Sequence, residues 1–340
     1  MDQIILGIET SCDETAAAVL QKSKNGIKIL SNVVASSASL QAKYGGIIPE
    51  QAAREQLKSV IPVVSEALKQ AQLKPRGLKA VAVTQGPGLV GSLLIGVETA
   101  KTLALVWDKP LIPVNHLIGH FYANWIKTDE SVDTPTFPCV GLLASGGHTD
   151  LVLFRNHGSF VYLGGTRDDA AGECFDKCAR LLGLPYPGGP RISELAAKGN
   201  PGAFDLPRPM INSDDFDFSY SGLKTAVANL VQDTPVSQTD NQKLFDLCAS
   251  IEQAIIDPLV KKAVAAAQKC GVKQIIVAGG VASNKKLKQQ LKSAFTGQLL
   301  VPQPQLCTDN AAMIAAAAFF LKPVSDPLKI QADPNLSLIN

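Results

Sequence analysis

Apolar and polar positions along the 340-residue chain fall into short blocks whose period changes repeatedly. The apolar run QIILGI at residues 3–8 stops at the polar stretch TSCDET and is followed by a second apolar run, Ala16–Leu20. This pattern predicts strand, tight polar turn, strand, a hairpin with carboxylates at its tip. A helical pattern lies within Ile47–Gln70, with Arg54 and Glu55 on its polar side. Ala80–Thr84 reads as a buried strand, followed by a glycine-rich turn, a helix to about Val106 and a strand at Leu111–Val114. That βαβ unit implies a parallel sheet segment. Beyond a Thr/Pro-rich hinge at Thr134–Pro138, the opening layout returns: Cys139–Ala144, the small-polar turn from Ser145 to Asp150, then Leu151–Phe154. A long amphipathic helix is expected over Asp240–Lys269 and a buried strand over Gln274–Ala278, running into Gly279-Gly280. A helix starts at Ser283-Asn284, a closing helix covers Ala311–Leu321, and the proline-bearing residues beyond it read as a tail.

Two hairpin-headed α/β segments about 135 residues apart are read as an internal duplication. The expected fold class is α/β, with two duplicated ribonuclease-H-like, actin-like ATPase lobes and a nucleotide cleft between them. This layout resembles the actin–hexokinase–Hsp70 superfamily, in which the two hairpin tips grip nucleotide phosphates through backbone N–H groups of glycine- and serine-rich turns. Expected boundaries are 1–133 for the first lobe, 134–308 for the second and 323–340 for a tail, with helix 309–322 packing back on the first lobe.

Length and composition narrow the class. At about 150 residues per domain, the chain holds two domains. Hydrophobic residues at 46% and charged residues at 18% exclude a disordered chain. A net charge of +2 leaves no strong electrostatic footprint for nucleic acid, and it neither predicts nor excludes an RNA substrate. The seven cysteines are odd in number and form no C-x-x-C pair, which suits reduced thiols in a cytosolic enzyme. The N-terminal stretch lacks a basic n-region and carries acids where an h-region would sit, so it is not read as a signal peptide. The longest uncharged stretch, Ala80–Val97, is broken by Gln85-Gly86-Pro87-Gly88, which argues against a membrane span. A cytoplasmic enzyme with no membrane partner is therefore expected.

Several motifs carry candidate chemistry. Gly86-Pro87-Gly88-Leu89-Val90-Gly91 matches G-x-G-x-x-G, yet the next strand ends in Asn115-His116 rather than an acid, so a closely packed glycine-rich helix start is the favoured reading. His116 and His120 stand at i and i+4, which places both imidazoles on one helix face, either as a two-histidine metal site or as a hydrogen-bonded buried pair. Position 117 is Leu, so the glutamate base of a metallopeptidase is missing. Two histidines and one carboxylate with open positions suit Fe(II), with Zn(II) as rival, and the spacing leaves open which carboxylate completes the set. Asp309 precedes an Ala-rich helix, where a plain N-cap is its ordinary role. Ser145-Gly146-Gly147-His148-Thr149 reads equally as a phosphate-holding turn or a hairpin turn. Asp176 shares a helix face with Glu173, available to ribose hydroxyls or simply to water. Pro187-Gly188-Gly189-Pro190 forms an elbow on which a flat ring could lie. Lys285, Lys286, Lys288 and Lys292 follow Asn284 as a basic strip, more in keeping with a solvated face than with an RNA contact.

GIETSCDET, QGPGLVGSLLIG, NHLIGH, LLASGGHT, DDAAGECFDK, YPGGP, FSYSGLKTAV, GGVASN and CTDNAAMIA occur in order between residues 7 and 315. Together they resemble the tRNA N6-adenosine threonylcarbamoyltransferase (TsaD) family over nearly the whole chain. The resemblance implies transfer of a threonylcarbamoyl group from threonylcarbamoyl-adenylate to N6 of adenosine 37, in the anticodon loop of tRNAs reading codons that begin with A, with release of AMP. It implies a metal held by His116, His120 and Asp309, usually Fe(2+), one per subunit, with Zn(2+) or another divalent ion as the alternative. It places the adenylate against Leu143, Ala144, Ser145, Gly146, Gly147, Asp176, Gly189 and Asn284, and gives Asp13 and Glu14 the catalytic acid–base role. It implies two protein partners, a smaller inactive paralogue (TsaB) on the first lobe and a separate ATPase (TsaE).

Rival readings are a small-molecule kinase or ATPase of the same fold, a metallopeptidase, and a nucleotide-sensing scaffold. The kinase would hold Mg²⁺ mostly through carboxylates and water, which leaves the histidine pair unexplained.

Overall fold

The computed structural model describes residues 2–37, 48–129, 133–233 and 241–339; the first residues of the helices expected from Ile47 and Asp240 lie outside that range. In chain order the elements are β1 (Gln3–Glu9), β2 (Glu14–Ser23), β3 (Gly26–Ser36), α1 (Pro49–Gln70), β4 (Ala80–Gly86), α2 (Val90–Val106), β5 (Leu111–Asn115) and α3 (His116–Tyr122). They continue with β6 (Cys139–Ala144), β7 (Thr149–Asn156), β8 (Ser159–Gly165), α4 (Ala171–Leu181), α5 (Gly188–Ala196), α6 (Ser221–Asp233) and α7 (Asn241–Lys269). Last come β9 (Gln274–Ala278), α8 (Lys285–Ala294), β10 (Gln298–Leu300), α9 (Pro304–Cys307) and α10 (Ala311–Ala318). They divide into two units, Met1–Pro135 with Pro302–Asn340, and Thr136–Val301.

The first unit is built on a five-stranded sheet of order β3-β2-β1-β4-β5, antiparallel through β1–β3 and parallel from β1 through β4 to β5. The second repeats it strand for strand as β8-β7-β6-β9-β10. The shared order establishes the duplicated α/β architecture that the recurring hairpins predicted. Strands β1, β4, β6 and β9 are near-continuous apolar runs because each lies inside its sheet with both faces covered. Helix α1 opens on Pro49, whose missing N–H costs nothing at a helix start, and turns Ala52, Val60, Val63, Val64 and Ala67 inward.

Helix α10 is buried at all eight of its residues, as a helix apolar on every side must be. It packs on β1, β2 and α3. Two glycines permit its close approach: a Cβ on Gly7 would lie 2.5 Å from the Ala311 carbonyl oxygen, and one on Gly119 would lie 2.7 Å from Ile314 Cδ1. The helix ends at Ala318, short of the expected Leu321, and beyond it the Phe320 ring lies tilted against Tyr122, with ring centroids 5.3 Å apart.

The last residues are bound to the first unit rather than trailing as a tail. Val324 N–H donates to the Leu111 carbonyl at 3.0 Å, Asp333 N–H to Gln85 at 2.9 Å and Gly88 N–H to Pro334 at 3.3 Å. They satisfy backbone groups of the edge strand β5 and of the β4–α2 turn that would otherwise face water. Residues 302–308, grouped by sequence with the second lobe, also belong to the first unit. Among the described residues no helix is long and apolar enough to cross a membrane.

Because the obstacle at Gly7 is backbone, Gly7→Ala should lower stability by about 1–3 kcal/mol, the range for an overpacked core. Urea unfolding should show this as a lower midpoint at unchanged slope.

Candidate functional site

In the first unit, α3 begins where β5 ends. Asn115 caps it, its Oδ1 accepting from Leu117 N–H at 2.8 Å, so the helix starts at His116 and sets His116 and His120 one turn apart. The two rings meet edge to face, with centroids 4.6 Å apart. Asp309 comes from the other end of the chain. The N-cap of α10 is Asn310, whose Oδ1 accepts from Met313 N–H at 3.2 Å, so the expected capping role of Asp309 falls to its neighbour. Asp309 Oδ1 stands 3.6 Å from His116 Nε2 and 3.2 Å from His120 Nε2.

One ligand atom from each of His116, His120 and Asp309 lies within 4.8 Å of the others. His120 is 1% exposed, with its Nε2 turned to the Asp309 carboxylate and its Nδ1 without a hydrogen bond among the described residues. Buried polar atoms converging on one point are costly to keep from water, and a cation placed among them would offset that cost. Two imidazoles and a carboxylate form a borderline donor set suited to a divalent transition metal, so the residues fit the ion that the histidine pair predicted. Burial disfavours the charged form of His120. Burial acts the same way on His116, but the charges of Glu9 and Asp309 and the hydrogen bond to Glu9 prevail and push its pKa up to about 9.

Asp13 and Glu14 lie at the β1–β2 turn as expected. Three contacts pin that turn. Gln56 of α1, 1% exposed, donates through Nε2 to the carbonyls of Thr10, Cys12 and Glu14. Ser92 Oγ donates to Cys12 O at 3.0 Å, and Leu89 N–H to Ser11 O at 2.8 Å. Burial, a hydrogen bond with Asp13 and the charges of Asp309 and Asp13 push the Glu14 carboxyl up to about 9. Burial raises the Cys12 thiol, reinforced by Asp309, Asp13 and Glu14. The Asp309 carboxylate and the hairpin acids therefore form one electrostatic cluster.

Sequence reasoning passed over Glu9, which is fully buried at the end of β1. It accepts from Ser11 N–H at 2.5 Å and Thr84 Oγ at 2.6 Å, and its Oε2 lies 3.0 Å from His116 Nδ1. The available signal was an acidic residue closing an apolar strand, where a buried charge requires partners.

In the second unit, the turn Ser145–His148 joins β6 to β7. Ser145 N–H donates to His148 O at 2.8 Å, and Ser145 O accepts from Gly172 N–H at 3.1 Å. Ser145's own amide is thus engaged inside the turn, while Gly146 and Gly147 are exposed, with nothing within 4 Å of a Cβ built on either. Gly172 has no such room: its Cβ would lie 2.5 Å from Ser145 O. Leu143 and Ala144 are fully buried in β6, so only their backbone could meet a ligand.

Asp176 does not simply line a solvated helix face. It accepts from Gly188 N–H at 2.7 Å and Gly189 N–H at 3.3 Å, so the Pro187–Pro190 elbow opens α5 on this carboxylate. Burial raises its pKa and the two amides oppose the rise. Asn284 caps α8 through Oδ1, accepting from Leu287 N–H at 2.9 Å. Its Nδ2 donates to Ser193 Oγ at 2.9 Å and Glu252 Oε1 at 2.7 Å. Asp168 ties two of the quoted motifs together, accepting from the hydroxyls of Ser219 and Ser221 and from the amides of Tyr220 and Ser221.

A sequence profile described as tRNA N6-adenosine threonylcarbamoyltransferase (TsaD) matches residues 28–316. Proteins of that name are similar along the whole chain. The one from Thermomicrobium roseum is 48% identical over 358 residues, covering 99% of this chain and 97% of the relative. The one from Symbiobacterium thermophilum is 50% identical over 340 residues, covering 98% and 97%. Among solved structures, HypF from T. kodakarensis aligns with TM-score 0.60 at 15% identity, covering 94% of this chain and 47% of that one. Component A of the Acidaminococcus fermentans (R)-2-hydroxyglutaryl-CoA dehydratase aligns with TM-score 0.52 at 16% identity, covering 94% and 98%. At such identities these structures share the fold alone.

Two outcomes are expected. A divalent ion that binds the native state raises the melting temperature, by about 4 kcal/mol of stabilisation at a thousandfold excess over Kd. Thermal melts with added Zn²⁺ should show a rise in the natural protein that is largely lost in Asp309→Ala. At Asp168, burial raises the carboxyl, but its four hydrogen bonds outweigh that and hold it below the usual range. Its contribution is therefore present above the unfolded pKa of about 3.9 and lost as pH falls through the folded value. Asp168→Asn should cost about 1 kcal/mol at neutral pH, since the group is largely exposed, and the gap should close in denaturation curves taken below about pH 4.

Proposed function

The chain belongs to the tRNA N6-adenosine threonylcarbamoyltransferase family, and from that premise we propose how its residues carry out the transfer. The reaction places a threonylcarbamoyl group on N6 of adenosine 37 in tRNA, using threonylcarbamoyl-adenylate as donor and releasing AMP. The observation that carries the reading is the His116–His120–Asp309 cluster sharing its field with the hairpin acids Asp13 and Glu14. A small-molecule kinase of this fold gives no reason for two buried imidazoles there.

An exocyclic adenine amine is a weak nucleophile because its lone pair is delocalised into the ring, so the acyl donor must be an activated mixed anhydride. His116, His120 and Asp309 would hold the metal, which we assign as Fe(2+), and a bound ion would supply Lewis-acid stabilisation of anionic oxygen. Asp13 and Glu14, hydrogen-bonded to one another at the hairpin tip, are the carboxyl groups that take up the proton shed by the attacking nitrogen. In the second unit, the amides of Gly146 and Gly147 face phosphate, and open space around both glycines supports that role. Asp176 with Gly189, and Asn284 held by Ser193 and Glu252, form the nucleoside side. Asn284 contributes chiefly by shaping that region, because both ends of its amide are committed within the protein. An anticodon loop can present an unstacked base to such a site, consistent with a net charge of only +2.

For partners, we propose a smaller inactive paralogue on the first unit and a separate ATPase. Helices α1 and α2 pack together and expose Leu57 with Ile61, and Val90 with Leu94, each pair at i and i+4. Exposed apolar pairs on two adjacent helices support the first partner.

The test combines the protein and both partners with presynthesised threonylcarbamoyl-adenylate and an adenosine-37 tRNA, with digested nucleosides read by mass spectrometry. Threonylcarbamoyladenosine should form, fall by at least about 100-fold in Asp13→Asn/Glu14→Gln, in line with loss of acid–base catalysis, and vanish in His116→Ala/His120→Ala. Slow ATP hydrolysis without modified adenosine would instead favour the kinase reading.

A further inference from the structure

We infer that Glu9 is a positioning residue that fixes the ring of His116 with its proton on Nδ1, so that Nε2 is the atom presented to the metal. The inference rests on the proposed metal reading and adds a residue outside the ligand set.

The argument is one of donors and acceptors. Glu9 Oε1 accepts from Ser11 N–H at 2.5 Å, and Oε2 accepts from Thr84 Oγ at 2.6 Å. With two donors already directed at it, the carboxylate meets His116 Nδ1, at 3.0 Å, as an acceptor. The other neighbour of Nδ1 is Ser11 Oγ at 3.2 Å, a hydroxyl that can donate or accept and so cannot set the tautomer. Glu9 therefore decides it. In the neutral ring that a metal requires, a proton on Nδ1 leaves Nε2, the nitrogen 3.6 Å from Asp309 Oδ1, as the one with a free lone pair. A carboxylate behind a ligating histidine orients the ring and raises its basicity.

The sheet places Glu9 for this role. Parallel pairing of Ile8 with Val83 brings the end of β1 beside Thr84, while β5, the next strand of the sheet, delivers His116. A fully buried carboxylate is expensive unless it is compensated, and the imidazole supplies that compensation together with the amide and the hydroxyl.

Glu9→Gln gives a sharp test because the volume is unchanged and the hydrogen-bond demand reverses. The Ser11 amide can only donate, so the glutamine oxygen must take the Oε1 position. Its NH₂ group then faces Thr84 and His116, and Nδ1 must become an acceptor. That moves the ring proton to Nε2 and blocks the ligand atom. The expected result is Zn²⁺ affinity, read by competition with a chromophoric chelator, reduced by about 10- to 100-fold. Thr84→Val, which removes a hydrogen bond to the same Oε2 while leaving the acceptor for Nδ1, should stay within about threefold of the natural protein, below the loss typical of a lost orienting partner.

A second readout needs no variant. In the Zn²⁺-loaded natural protein, labelled with ¹⁵N-histidine, long-range ¹H–¹⁵N spectra should show His116 protonated at Nδ1 and metal-bound at Nε2. Coordination through Nδ1, or a folded Glu9→Gln protein with unchanged affinity, would overturn the role of Glu9. Failure of the natural protein to take up Zn²⁺, or uptake that persists in His116→Ala/His120→Ala, would instead sink the metal reading, and this inference with it.

Discussion

The candidate metal centre depends on how closely helix α10 can lie against β1 and α3. Its two histidines and its aspartate are almost 190 residues apart in sequence (309 − 120 = 189). They meet because the backbone of an alanine helix sits directly on Gly7, with Gly119 opposite Ile314. Alanine suits this helix, since it gives up no side-chain entropy and adds no bulk at the contact. With Asn310 as the cap, Asp309 lies one residue outside the helix and is carried wherever α10 docks. A few tenths of an ångström at Gly7 therefore translate directly into ligand geometry.

Around that contact, the first unit is organised so that buried polar groups answer one another. Gln56 reaches from α1 to three carbonyls of the hairpin turn, which holds Asp13 and Glu14 beside the cluster while leaving their side chains to one another. Asn115 starts α3 at His116, the first member of the candidate ligand set. Both sets of hydrogen bonds lie within a packed interior, where buried polar contacts help to specify one arrangement. Burial raises the Glu14 carboxyl and the Cys12 thiol, and the neighbouring charges of Asp309 and Asp13 reinforce it.

The second unit reuses the strand order for a different end. Its hairpin turn carries glycines instead of acids, and neighbouring glycines frame it: Gly172 under Ser145, and Gly279, at φ 87°, against the end of β6. Close backbone approach leaves no side chain to cover the exposed amides of Gly146 and Gly147, which is the property an anion-facing turn needs. Asp168 and Asp176 then act locally, one gathering the loop before α6 and the other the start of α5.

Strand cores, the duplicated hairpins and the i, i+4 histidines were legible in the chain because each depends on a local period or spacing. Gln274–Ala278 and the start of α10 fall where the apolar runs place them. The residues that the motifs name are set by short-range order in the same way. What the linear pattern leaves open is every decision made across distance. That Asp309 rather than another acid lies beside the two histidines, that Glu9 stands behind His116, and that Asn284 spends its amide on Ser193 and Glu252 follow from which elements touch. The C-terminal residues, polar and proline-rich enough to read as a tail, are bound because β5 and the β4–α2 turn leave backbone groups that need partners. A side chain's chemistry is written in the sequence, but its partners are chosen by packing, where an ångström of clearance at one glycine decides whether three distant groups become a site.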